Sequence, residues 1–253
     1  MRKLIFWSLA AGALAIILLF ATQGRGGSSL RQPSVVNRTP WGLSAAFAHL
    51  REQGFDVRAF RRPLAEVPGE EGCIVIACPV RVPPTVTDMQ FLDTWMEKGG
   101  TVVLLASPRR ATAEDQFTYF AVGVRETERR KAPPWRWSSW QEWRRARDTL
   151  HRRATAPFEP GEPVTWMRNQ DVQFGAVSAK QWFSNLRGEL AVGVRRKGFG
   201  RLVVVDNVTM FANEWIGENG NAAFLVQLFD ALELRDRPIH FVEWLQGERD
   251  LTE

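Results

Sequence analysis

Hydrophobic and polar positions along the chain alternate between two periods. Phe91, Leu92, Trp95 and Met96 recur at helical spacing, Lys98 falls in the last turn, and Gly99 can take the left-handed conformation that ends a helix. The next six residues, 101–106, are a continuous β-branched and apolar run. Such a run suits a strand covered on both faces of a parallel sheet better than a half-exposed hairpin strand. A helix that feeds a doubly covered strand through two glycines is the repeating unit of an open α/β sheet.

The same patterns extend in both directions. Residues 37–53 open with Thr39 and Pro40, a cap followed by proline at the first helical position, and carry Leu43, Ala46, Phe47 and Leu50 on one face up to Gly54. Strands are predicted over 56–60 and 72–78, and a short helix over 112–120 whose Phe117 and Phe120 cover the sheet. Two strands, 190–196 and 201–206, flank Lys197-Gly198-Phe199-Gly200, which reads as a hairpin turn because it precedes a strand instead of leading into a helix as a phosphate loop does. Asn219 or Asn221 is expected to cap a helix through Phe224, Leu225, Leu228 and Leu232, and a last strand, Ile239–Val242, follows Pro238.

Ahead of this pattern lies an uncharged run of 18 residues, 4–21, preceded by Arg2 and Lys3. It meets the roughly 17–25 residues that span a bilayer. A cleaved signal peptide needs small residues at two positions before the cut; Ala21 has Leu19 at the other position, and only Thr22 with Gly24 remains. An uncleaved anchor over 1–22 is the expectation. Arg2, Lys3 and the amino terminus outweigh Arg25 and Arg31 only slightly, which favours a cytoplasmic start and an extracytoplasmic domain. A Gly/Ser-rich linker, 23–35, joins the two parts, the domain occupies 36–247, and 248–253 is a tail.

Charge changes the picture at one place. The net charge of +5 is concentrated in residues 125–153, which hold ten Arg or Lys against four Asp or Glu. Within this insertion stand Trp135, Trp137, Trp140 and Trp143, interleaved with Arg136, Arg144, Arg145 and Arg147. A helix over 139–152 would set Trp140, Trp143, Ala146 and Leu150 on one side and Arg144, Arg145, Asp148 and Arg152 on the other. Such a helix either packs its tryptophans on the domain or docks on anionic headgroups or a partner. Aromatic and basic interleaving also suits single-stranded nucleic acid, but the outward topology argues against a nucleic-acid partner.

Candidate chemistry is sparse. Cys73 and Cys78 lie five apart in one predicted strand, roughly 16 Å, which is beyond disulfide reach. Cys78 and Ser107 stand at strand ends where a nucleophile would sit, yet each is followed by proline, Pro79 and Pro108, which has no N–H for an oxyanion hole. Losing one such donor typically costs about a hundredfold to a thousandfold in rate. The three histidines, His49, His151 and His240, show no metal-ligand spacing. Asp206 and Glu243, at strand ends, are either turn caps or a general acid and base. With Asn207 and Asn213 they form the candidate ligand cleft. No catalytic set, cofactor or metal is expected.

Several landmarks together resemble a bacterial family numbered four-three-five-zero among the domains of unknown function. They are Asn37 with Pro40-Trp41-Gly42-Leu43, the helix end from Leu50 to Gly54, Pro79, Trp95 with Gly99-Gly100, Gly198-x-Gly200-Arg201 leading into Val203-Val204-Val205-Asp206, Phe211-x-Asn213, and Asn221. The resemblance implies a class I glutamine amidotransferase-like, flavodoxin-like fold, an open and mostly parallel sheet with helices on both faces. It also implies a single- or double-pass membrane protein with its domain outside the cytoplasm; for this chain the expectation is a single pass in the inner membrane and a periplasmic domain. Family members tend to be encoded beside MoxR-type AAA ATPases and von Willebrand factor A-like or transglutaminase-like membrane proteins, which implies membrane-protein partners. Members often carry an acidic-aromatic-His-His-Gly run after the last strand; here Glu243-Trp244-Leu245-Gln246-Gly247 keeps the ends and lacks both histidines. The expected function is a non-catalytic binding or scaffold domain. The alternatives are a ligand-sensing component of an envelope transporter, or an enzyme that uses Asp206 and Glu243.

Overall fold

The computed structural model describes residues 32–69, 71–106, 122–126, 147–167, 172–176, 180–185, 188 and 190–248. In chain order these form α1 (Ser44–Glu52), β1 (Val57–Phe60), β2 (Cys73–Ala77), α2 (Val86–Glu97), β3 (Thr101–Leu105), β4 (Val122–Glu126), β5 (Arg147–Thr149), β6 (His151–Arg152), β7 (Thr165–Met167), β8 (Val172–Ala176), β9 (Lys180–Ser184), β10 (Leu190–Lys197), β11 (Gly200–Val205), α3 (Asn221–Ala231) and β12 (Ile239–Val242). Short 3-10 turns cover Leu64–Glu66, Val208–Phe211 and Trp244–Gln246.

Eight strands make one mixed sheet in the order β1-β12-β2-β3-β11-β10-β9-β6. The first five are mutually parallel, and β10, β9 and β6 continue antiparallel. The expected strand pair around Gly198 and Phe199 is a hairpin in which Lys197 faces Gly200. Two small ladders, β4 with β8 and β5 with β7, accompany the main sheet.

Alternation sets what each face buries. Cys73, Val75, Val103, Leu105, Val203, Val205, Ile239 and Phe241 point to one face, where Ala46 and Leu50 of α1 and Phe224, Leu225, Leu228 and Phe229 of α3 cover them. Ile74, Ile76, Val102, Leu104, Leu202 and Val204 point to the other, against Leu64 and against Met89, Leu92, Trp95 and Met96 of α2. Continuous apolar runs read from sequence are thus strands buried on both sides. Both cysteines are free and buried.

The helix ends show where local signals ruled and where they did not. Thr85 begins α2 with a reciprocal capping box: Asp88 N–H donates to Thr85 Oγ1 at 3.2 Å and Thr85 N–H to Asp88 Oδ2 at 2.7 Å. Lys98 and Gly99, with φ of 110°, end it as expected. By contrast α1 starts at Ser44, not at Thr39, which lies in a turn closed by Gly42 N–H to Thr39 C=O at 3.0 Å. Its capping acceptor comes from far away: Ala45 N–H donates to Asn213 Oδ1 at 2.8 Å. Nor does Asn219 or Asn221 cap α3, since Gly220 holds that position and no side chain caps it.

Two expectations fail for tertiary reasons. The helix over 139–152 is overturned for residues 147–152, which form two short strands on either side of Leu150: β5 takes its backbone bonds from β7, and β6 from β9 at the sheet edge. Leu150 is buried there by strand pairing, with its N–H on Val164 C=O at 3.0 Å. The linker expected through residue 35 is shorter, because Ser34 and Val35 are buried against the domain. The apolar run 4–21, the helix expected over 112–120, Ser107, Trp135, Trp137, Trp140, Trp143, Arg144, Arg145 and the tail 249–253 lie outside the described residues. Among the described residues no helix is long and apolar enough to cross a membrane.

Candidate functional site

Ligands of open α/β sheets bind beyond the carboxyl ends of the strands. Here Asp206 and Asn207 follow directly on β11, and Glu243 follows directly on β12. The two acids do not meet. β11 and β12 are separated by β3 and β2, so three strand spacings, about 14 Å, lie between them. A proton-sharing or acid-base pair works across a gap of about 5–10 Å at most.

Glu243, Asn207 and Asn213 spend their side chains on the fold itself. Glu243 is 2% exposed. Its Oε1 accepts from Val35 N–H at 3.0 Å and its Oε2 from the Ser34 hydroxyl. Burial pushes its carboxyl above the ordinary range, and Glu248 adds to this, while the Ser34 and Val35 bonds and Arg61 pull the other way. Asn207 is fully buried and its Oδ1 accepts from Thr209 N–H at 2.9 Å and Thr209 Oγ1 at 2.6 Å, which caps the 3-10 turn that follows. Asn213 uses both ends of its amide. Its Oδ1 caps α1, and its Nδ2 donates to Asn37 C=O at 2.9 Å and Thr39 C=O at 2.7 Å. Asp206 is 5% exposed, and its N–H donates to Ala191 C=O at 2.8 Å.

Three further polar residues carry comparable weight: Ser34, which the sequence reading did not single out, and Gln246 and Asn221, which it named without these partners. Gln246 Nε2 donates to Ala77 C=O at 2.6 Å, closing the end of β2. Ser34 forms the other half of the Glu243 contact. Asn221, buried at the start of α3, accepts from Thr165 N–H at 2.9 Å and donates to Thr165, Met210 and Trp215 carbonyls at 2.6, 3.1 and 2.9 Å. Gln246 and Ser34 find partners 169 and 209 residues away, a separation no local pattern encodes.

A family model described as Domain of unknown function (DUF4350) matches residues 36–229. The chain belongs to that family. Asn207, Asn213 and Asn221 fall within the matched stretch, whereas Ser34, Val35, Glu243 and Gln246 fall outside it. No curated protein sequence matches the chain. Among solved structures, the chain is similar to exo-β-1,4-mannosidase Op5Man5 from Opitutaceae bacterium strain TAV5, at 18% identity and a TM-score of 0.46 over 74% of this chain and 30% of that one. It is also similar to the mmIFT52 N-terminal domain, at 12% and 0.45 over 64% and 78%. A third is cytoplasmic protein STM1381 from Salmonella typhimurium LT2, at 12% and 0.46 over 76% and 87%. The chain spans less than a third of the mannosidase. Similarity at this level carries no inference about activity.

The remaining reactive groups are dispersed. Cys78 is 6% exposed at the end of β2, with its N–H on Leu105 C=O at 2.8 Å. Cys73 is fully buried, and burial pushes its thiol far up, away from the thiolate. His49 lies half-buried on α1 and His151 exposed on β6. His240 is 1% exposed in the sheet, edge-on to Phe60 with ring centroids 5.8 Å apart. Burial first, then Arg58, push its imidazole below the ordinary value, with Asp56 opposing. Among the described residues no group of three His, Cys, Asp or Glu could hold a metal ion.

Proposed function

We propose that this chain is a non-catalytic binding or scaffold domain on an amidotransferase-like sheet, held outside the cytoplasm by an uncleaved span at residues 4–21. It serves as an accessory to a bacterial envelope system that includes a MoxR-type AAA ATPase and its membrane proteins. One observation carries the non-catalytic part. Both oxygens of Glu243, at the strand end where an α/β enzyme keeps reacting groups, are buried and bonded to the chain's own Ser34 and Val35. A carboxyl group so buried, with each oxygen bonded to the chain's own donors, is spent on the fold and is not presented to a substrate. Asp206, about 14 Å away across three strand spacings, is too far to act with it.

The test is crosslinking in native membranes, followed by identification of the captured proteins. Capture of the ATPase system's membrane proteins by the native chain and equally by Asp206→Asn is the expected result. Capture of none of them, together with a small-molecule turnover that Asp206→Asn abolishes, would overturn the reading. Changing Trp135, Trp137, Trp140 and Trp143 to serine then asks whether the insertion docks the partner, in which case capture is lost while the domain still melts as before.

A further inference from the structure

Both ends of the described chain leave the fold at one place. Gln32 Nε2 donates to Gln246 C=O at 3.2 Å, and Glu248 N–H to Glu243 C=O at 3.1 Å. Residues 1–31 therefore join the domain beside the carboxyl end of β12. Only ten residues, 22–31, separate Gln32 from the apolar run 4–21. Fully extended they reach about 35 Å, and as a flexible coil about 17 Å.

The surface around this exit is unlike an ordinary loop surface. Val86 is 72% and Val36 43% exposed, two of three large hydrophobics so exposed among the described residues. The third, Phe199 at 91%, stands on the hairpin at the opposite end of the sheet. Arg38, Arg62 and Arg81 are exposed on the same edge, and Trp244 is half-buried there. Arg81 is held in place, with its N–H on Leu245 C=O at 2.8 Å and its side chain over Gly247, where an added Cβ would stand 3.1 Å from Cδ. The carboxyl groups of these loops are Glu66, Asp88, Asp206, Glu214, Glu218, Glu243 and Glu248; Asp88 is taken up by the Thr85 N–H and hydroxyl, Asp206 and Glu243 are buried, and Glu214, Glu218 and Glu248 are half-buried, with Glu214 N–H on Pro40 C=O at 3.1 Å.

We propose that this carboxyl edge docks on the surface of an anionic bilayer. Arg38, Arg62 and Arg81 meet the headgroups, while Val36, Val86 and Trp244 sit at the boundary with the acyl chains. The proposal rests on residues 4–21 spanning the membrane, because the chain between that span and Gln32 joins the domain at this edge and sets it nearest the bilayer. The domain is then held against the membrane by its carboxyl edge, with the Phe199 hairpin pointing away and open to partners.

The experiment uses the full chain in vesicles of phosphatidylcholine with and without phosphatidylglycerol. A fluorophore is placed at Val86→Cys or at Phe199→Cys, the native cysteines being buried, and quenching by brominated lipid is read. With phosphatidylglycerol present the label at 86 is quenched and the label at 199 is not. Each arginine near an anionic surface is worth about a fivefold factor, so Arg62→Glu with Arg81→Glu lowers the docked-to-free ratio at least ~25-fold. Raising the salt releases the label at 86 without stripping the chain from the vesicles, a readout that needs no folded variant. If the chain floats with the vesicles but the label at 86 is no more quenched than that at 199, docking is wrong and the span stands. If the chain does not float, the span is wrong and docking falls with it.

Discussion

The two ends of the sheet are closed by different means. At the amino end the backbone itself fills the space. A Cβ on Gly200 would lie 2.1 Å from Gly100 C=O and 2.4 Å from Met96 C=O, so β11 can begin beside the end of α2 only without a side chain. At the carboxyl end the space is filled by amides and a carboxyl group: Glu243, Gln246 and Asn213 bind backbone atoms of segments distant in sequence. The first device is steric and admits nearly one residue type. The second is a set of hydrogen bonds, whose loss is graded by how many buried groups are left without partners.

That difference orders the effects of substitution. Gly200→Ala forces backbone to move and is expected to cost about 4 kcal/mol or more in chemical denaturation, against less than about 0.5 kcal/mol for Gly161→Ala, whose Cβ meets open space. A loss below 1 kcal/mol at Gly200 would show that the amino end relaxes easily and would end the comparison. Asn221→Ala is expected to cost about 3 kcal/mol, because it strands the Thr165 N–H and the carbonyls of Thr165, Met210 and Trp215. Restoring Asn221→Asp would recover only the bond from Thr165 N–H, and a denaturation series across the three side chains tests that ranking.

The same contrast explains what could be read from the sequence. Gly99, Gly198 and Gly200 sit between apolar runs and announce a helix end and a hairpin; the structure has both where the pattern placed them. The strands 72–78, 101–106 and 239–242 were legible because burial on both faces leaves unbroken apolar runs. Asn213 was legible only as a landmark and a cleft candidate, since its partners Asn37, Thr39 and Ala45 lie 168 to 176 residues away. The same holds for Glu243: position at a strand end suggested a cap or a catalytic acid, and only the fold brings Ser34 to it. The helix expected over 139–152 failed at 147–152 because distant strands, β7 and β9, compete for those backbone groups, and periodicity does not register competitors.

The smallest effects separate the two ends by titration, since close backbone packing does not titrate and the carboxyl end does. Glu243 has its carboxyl raised above 4.5 in the fold, so between 4.5 and the raised value the folded chain binds the proton that the unfolded chain releases. Its contribution therefore favours folding at the acid side of that window and declines as pH rises through it. His240, three residues earlier, runs the other way: its imidazole is lowered below 6.5, so stability declines as pH falls below 6.5 and the unfolded chain takes up a proton that the buried ring does not. Melting temperatures measured between pH 4.5 and 7 should then diverge by variant. His240→Leu, replacing a buried ring with no hydrogen-bond partner among the described residues, stays within about 1 kcal/mol of the native chain at pH 7 and loses less on acidification. Glu243→Gln keeps the histidine loss without the opposing carboxyl and declines more steeply below pH 6.5 than the native chain. Parallel pH profiles for all three proteins would mean that neither group titrates differently in the fold, and that the carboxyl end is held by shape as the amino end is.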